Sequence, residues 1–167
     1  VDNFPNIIQR EYNQGHEIGS HSFSHPQITT LTSEEIEYQF TETEHRIQQY
    51  VPYTTKLIRP PYGQITQSLK EVLQKTFVLW SIDTQDWKTR DKDAIVSEVL
   101  NNVKDGDIIL MHDMYSTTAD ACEELIPALI ERGYQLVTVS ELLNAKEITP
   151  VAGSVYSRVL STGNAAS

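Results

Sequence analysis

Two continuous apolar runs restrict what this chain can fold into. FVLWSID, residues 77–83, and DIILMHD, residues 107–113, show no polar alternation and end in charge. A strand without a polar face must be covered on both sides, the condition of a parallel sheet flanked by helices. The rest of the chain supplies those helices. Phe4, Ile7, Ile8 and Tyr12 stand at helical spacing in residues 3–14, before Gly15. Thr32 and Glu35 form a candidate capping box, with Leu31 and Ile36 at its staple positions; Ile36, Phe40, Thr43 and Ile47 continue one face to about Tyr50. Further helices are predicted over 66–75, from a cap at Asp91 to Gly106, and over 118–132, where Pro127 predicts a kink or restart. HEIGSHS (16–22), KLIRPP (56–61) and QLVTV (135–139) are the remaining predicted strands. Five strands alternating with helices predict an α/β fold with a parallel sheet, open or closed into a barrel.

At 167 residues and 39% apolar, the chain can bury one core. It has no apolar run long enough to span a membrane and no signal-like opening, so no membrane insertion is expected in this segment. It begins at Val1 with a helical pattern already under way, which reads as a piece of a longer protein. The net charge of −10 argues against nucleic acid and against an anionic membrane, and is compatible with a neutral substrate. Cys122, the single cysteine, reads as a small core residue. The small, polar STGNAAS tail reads as a linker, so the domain is expected over 1–147, with 148–167 an extension or linker. No G-x-G-x-x-G or P-loop pattern supports a dinucleotide or nucleotide enzyme.

Polar residues gather where the predicted strands end. His21 and His25 follow the first, Arg59 and Tyr62 the second, Asp83, Asp86 and Trp87 the third, and His112 and Asp113 the fourth. That edge is where active sites assemble in parallel α/β folds. The His21/His25 spacing suits a metal, and Pro26 disfavours a helix at His25, placing the pair on a turn or helix start. A catalytic zinc takes a third protein ligand, for which His16, His45, Asp83, Asp86 and Asp113 are candidates. In RPPYG the stiff backbone can present an N–H from Tyr62 or Gly63 to an oxyanion; its alternative is a plain turn. Asp86 could orient a histidine or pair with Arg59, and Trp87 could wall a sugar site. Leu110 and His112 share a strand face, where a histidine can act as a general acid.

Taken together, HSFSH, RPPYG, DTQDW and IILMHD resemble, in order and spacing, motifs of the polysaccharide deacetylases of carbohydrate esterase family 4, the NodB homology domain, over about residues 1–145. The resemblance implies a distorted (β/α) barrel of parallel strands that hydrolyses N- or O-acetyl groups on sugar polymers with zinc or another divalent ion such as cobalt. It implies His21 and His25 as metal ligands, Tyr62 N–H as an oxyanion donor, and His112 as the acid tuned by Asp86. Trp87 and Leu110 would shape the sugar and acetyl pocket, and Arg59 would orient the base. The family's opening Thr-Phe-Asp-Asp-Gly motif does not occur in these 167 residues. The expectation is a domain lacking its N-terminal strands, with the missing segment as a partner, possibly on a separate chain, to complete base, metal site and sheet edge. Peptidoglycan N-acetylglucosamine is the expected substrate, at the cell surface or outside the cell. Chitin oligomers, acetylated xylan and a catalytically inactive carbohydrate-binding remnant are the alternatives.

Overall fold

The computed structural model describes residues 1–160 and falls into two compact units. Of the described residues, the first comprises 1–78 and 149–156, the second 79–148 and 157–160.

In the first unit, α1 (Pro5–Asn13) starts with proline in its first turn, where no backbone donor is lost. α2 (Ser33–Gln48) has the capping box: Glu35 N–H donates to Thr32 Oγ1 (3.3 Å) and Thr32 N–H to Glu35 Oε2 (2.8 Å). Its buried residues are Ile36, Phe40 and Ile47. Ile36 and Phe40 pack with Ile28, Ile58, Leu69 and Phe77, while Ile47 closes over Ile8, Ile18 and Val51. Each such fully buried side chain stabilises by about 1.5–3 kcal/mol. β1 (Leu57–Ile58), α3 (Gln67–Leu73) and β2 (Thr76–Val78) follow. β2 lies between β1 and β5 (Val155–Tyr156), parallel to both, with Ile58 opposite Phe77 and Phe77 opposite Val155. HEIGSHS, expected as a strand, contributes one bridge, Ser20 to Ile58; beyond it the chain leaves the ladder at His21.

In the second unit, β3 (Ile82–Asp83) pairs in parallel with β4 (Ile109–Leu110). Helices α4 (Asp86–Thr89), α5 (Lys92–Asn102), α6 (Ser116–Glu131) and α7 (Val139–Ala145) complete it. Asp91 caps α5 as expected, accepting from Asp93 N (2.9 Å) and Ala94 N (3.1 Å). Ile95 and Val99 of α5 pack on Ala121, Leu125 and Leu129 of α6, with Ile82 in the same core.

Several expectations are corrected. FVLWSID is not one strand: β2 and β3 are separated at 79–81, where the Ser81 hydroxyl donates to Asp107 (2.7 Å) and accepts from Ile108 N–H (3.1 Å). The Ser81 backbone N–H also donates to the Ile108 carbonyl (2.9 Å), so main chain and side chain both bond to this neighbouring stretch. DIILMHD keeps only two ladder residues. QLVTV forms no strand; Leu136 and Val137 are exposed, and Thr138 ends the run by capping α7 with Glu141. α6 runs unbroken through Pro127. Beyond residue 147, β5 pairs with β2; STGNAAS (161–167) lies outside the described residues.

Candidate functional site

The HSFSH loop leaves regular structure at His21 and returns at Ile28. His25 has φ +56°, so the residue before Pro26 is not helical, and Ser22 has φ +72°. Four of the seven non-glycine residues with positive φ among those described, Ser22, His25, Tyr62 and Gln85, lie inside the sequence motifs. Left-handed backbone at such residues costs energy and concentrates at functional positions.

The rings of His21 and His25 meet edge to face, 5.0 Å between centroids. The His21 Nδ1 lies 2.5 Å from the Arg59 carbonyl oxygen. A carbonyl can only accept, so Nδ1 carries the proton and Nε2 keeps its lone pair, the arrangement that metal-ligating histidines use. Tyr62, at φ +57°, packs its ring on His25 at 4.8 Å. RPPYG thus contributes a carbonyl to one histidine and a ring to the other. Burial pushes the Arg59 guanidinium below its ordinary value.

Gln39, on α2, was not legible in the sequence. Its Oε1 accepts from Phe23 N–H (3.0 Å) and Ser24 N–H (2.8 Å), and its Nε2 donates to Ser24 Oγ (2.9 Å). One amide therefore fixes two of the three residues between the two histidines. The donor set, two imidazoles from one loop with one ring tautomer fixed, fits two ligands of a divalent transition ion. Among the described residues no group of three His, Cys, Asp or Glu side chains stands placed to hold one ion.

In the second unit Asp86, fully buried, opens α4. Its Oδ1 accepts from Trp87 N–H (2.9 Å) and from His112 Nδ1 (2.7 Å). Its Oδ2 accepts from His112 N–H (2.6 Å) and Thr118 Oγ1 (2.9 Å). Burial pushes this carboxyl up, but the His112 ring, the His112 N–H and the Thr118 hydroxyl together hold it below its ordinary range. An ionised Asp86 requires His112 to carry a proton on Nδ1, which leaves Nε2 as the nitrogen that exchanges protons. Thr84 donates to the Leu110 carbonyl (2.8 Å), tying the end of β3 to the end of β4. Trp87 is about half exposed. Tyr115 stands edge-on to His112 at 6.5 Å and carries the Arg90 guanidinium over its ring at 4.5 Å. Cys122 is half-buried beside Met111, and burial raises its thiol.

The sequence profile described as polysaccharide deacetylase matches residues 1–78. Peptidoglycan-N-acetylmuramic acid deacetylase PdaC of Bacillus subtilis is 42% identical over 147 residues, covering 88% of this chain and 32% of that protein. The PdaC structure superposes with a TM-score of 0.86, over 88% of this chain and 73% of that one. Peptidoglycan-N-acetylglucosamine deacetylase PgdA of Listeria monocytogenes is 36% identical over 85% of this chain and 30% of its own length. A family 4 acetyl xylan esterase from Clostridium thermocellum, solved in complex with a cobalt ion, is 32% identical with a TM-score of 0.89, over 95% of this chain and 80% of that one. The chain belongs to the polysaccharide deacetylases of carbohydrate esterase family 4. Its mixed α/β architecture with parallel strands is that of the deacetylase structures. It spans about a third of the length of PdaC and of PgdA.

Proposed function

We propose that this chain supplies the two-histidine metal loop and the acid of a metal-dependent deacetylase acting on N-acetylglucosamine residues of peptidoglycan, at the cell surface or outside the cell. The observation that carries the reading is the buried, ionised Asp86 holding His112 Nδ1–H. In amide hydrolysis, water adds to the acetyl carbon, the C–N bond breaks, and the departing nitrogen takes a proton. His112, protonated on both ring nitrogens with Nδ1–H held by Asp86, gives that proton from Nε2 and returns to the neutral Nδ1–H form. His21 and His25 would hold zinc or a comparable ion such as cobalt. When bound, it supplies Lewis acidity to the acetyl carbonyl. Tyr62 N–H serves as an oxyanion donor, Trp87 and Leu110 wall the sugar and acetyl methyl, and Arg59 orients the base. The names of PdaC and PgdA support peptidoglycan as the polymer.

The test is acetate release by the intact protein from peptidoglycan, chitin oligomers and acetylated xylan. Peptidoglycan should be the preferred polymer. A chelator should abolish release, and added zinc should restore it; release that survives chelation removes the metal from the reading. Zinc binding can be followed separately by competition with a chromophoric chelator. His21→Ala should lose specific binding, and Gln39→Leu should weaken it by about 10–100-fold, the usual effect of removing support behind a ligand. Unchanged affinity in both variants would show that this loop is not the metal site.

A further inference from the structure

From the second unit we infer that Thr118 is a positioning residue, whose hydroxyl holds the Asp86 carboxylate in the rotation that fixes His112 in its Nδ1–H tautomer. The inference rests on the reading of His112 as proton donor. Thr118 stands in the first turn of α6 and is buried. Its Oγ1 donates to Asp86 Oδ2, the oxygen that also accepts from His112 N–H. The other oxygen, Oδ1, faces the His112 ring and Trp87 N–H. The carboxylate is thus held at both oxygens, and Thr118 is the one donor to it from α6. A helix N-terminal turn also favours the ionised form of an acid beside it. Tyr115 stands beside the His112 ring with the Arg90 guanidinium over its own, and Cys122 lies one turn beyond Thr118. Asp86 is the neighbour bonded to Nδ1, so its rotation selects the tautomer. Without the hydroxyl, Oδ2 keeps only the backbone donor and the carboxylate can swing away from Nδ1.

Thr118→Val keeps the shape and removes the donor; Thr118→Ser keeps the donor and removes a methyl. Nitrogen-15 NMR of histidine-labelled intact protein reads the His112 tautomer directly. Thr118→Val should shift population from the Nδ1–H to the Nε2–H form, and Thr118→Ser should match the wild type. With peptidoglycan as substrate, kcat should fall about tenfold in the valine variant with KM unchanged, as for loss of one hydrogen bond to a charged group. The serine variant should stay within twofold. An unchanged tautomer in a folded Thr118→Val protein, or an equal loss in Thr118→Ser, overturns the inference. If the wild type releases no acetate from any polymer, the enzymatic reading fails, while the NMR comparison still decides whether Thr118 sets the tautomer.

Discussion

Asp86→Asn is expected to lower deacetylase turnover by about 10²–10⁴-fold, the range that a positioned proton donor contributes. All four groups facing the carboxylate are donors: Trp87 N–H, His112 N–H, His112 Nδ1–H and the Thr118 hydroxyl. An amide has one oxygen and one NH2. If the NH2 takes the place of Oδ2, it meets the His112 backbone N–H, which cannot become an acceptor. If it takes the place of Oδ1, it meets Trp87 N–H and forces His112 to the other tautomer. In either orientation a buried backbone donor is orphaned, costing about 1–3 kcal/mol of stability. The pH dependence has a definite sign. Asp86 is held below its ordinary range in the fold, so its contribution is present in full above the unfolded value of about 4. It is lost as pH falls through the folded value. The stability gap between wild type and Asp86→Asn in urea should therefore be widest near neutrality and shrink below about pH 4. Turnover within twofold of wild type would end the proposed role of the Asp86–His112 pair.

Gly106→Ala is expected to be the most damaging single-methyl addition in the second unit. Gly106 has φ +87°, and a Cβ there would stand 1.9 Å from the Val159 carbonyl oxygen and 2.9 Å from its carbon. Both are backbone atoms, so no side chain can rotate away. The same glycine accepts from Val159 N–H at 2.8 Å, and Val159 is almost fully buried. Left-handed strain of about 1–2 kcal/mol adds to overpacking of about 1–3 kcal/mol. The loss should total about 3 kcal/mol, seen as a fall in urea midpoint at unchanged slope. Gly133→Ala is a matched control, because its φ is +86° but nothing lies within 4 Å of its added methyl. Equal losses in the two would show that backbone strain alone, and not the approach of Val159, decides the cost.

Helix positions were largely legible, because capping and period are local. Thr32 with Glu35, Asp91 ahead of Ile95, and the buried face of α2 all rest on groups within a few residues of one another. Strand extent was not. Whether FVLWSID stays in one ladder depends on what Ser81 meets, and it meets Asp107 and Ile108, distant in sequence. Nothing in QLVTV states that a partner strand is needed, and nothing in residues 148–160 signals that Val155 pairs with Phe77. Gln39 and Thr118 were equally hidden: one is a glutamine on a helix, the other a hydroxyl residue in a helix's first turn, an ordinary place for one.

The sequence by itself determined which chemical groups are present and in what order: two histidines around a turn, an Arg-Pro-Pro-Tyr loop, an acid before tryptophan, and a histidine after an apolar run. Those features are local and survive any packing. Only the tertiary structure decided which hydrogen-bond partners they have. The Arg59 carbonyl sets the His21 tautomer from 38 residues away, and the His112 backbone and ring reach Asp86 across 26. A tautomer or an ionisation state is fixed by the nearest donor or acceptor in space, and chain folding alone brings that neighbour within about 3 Å.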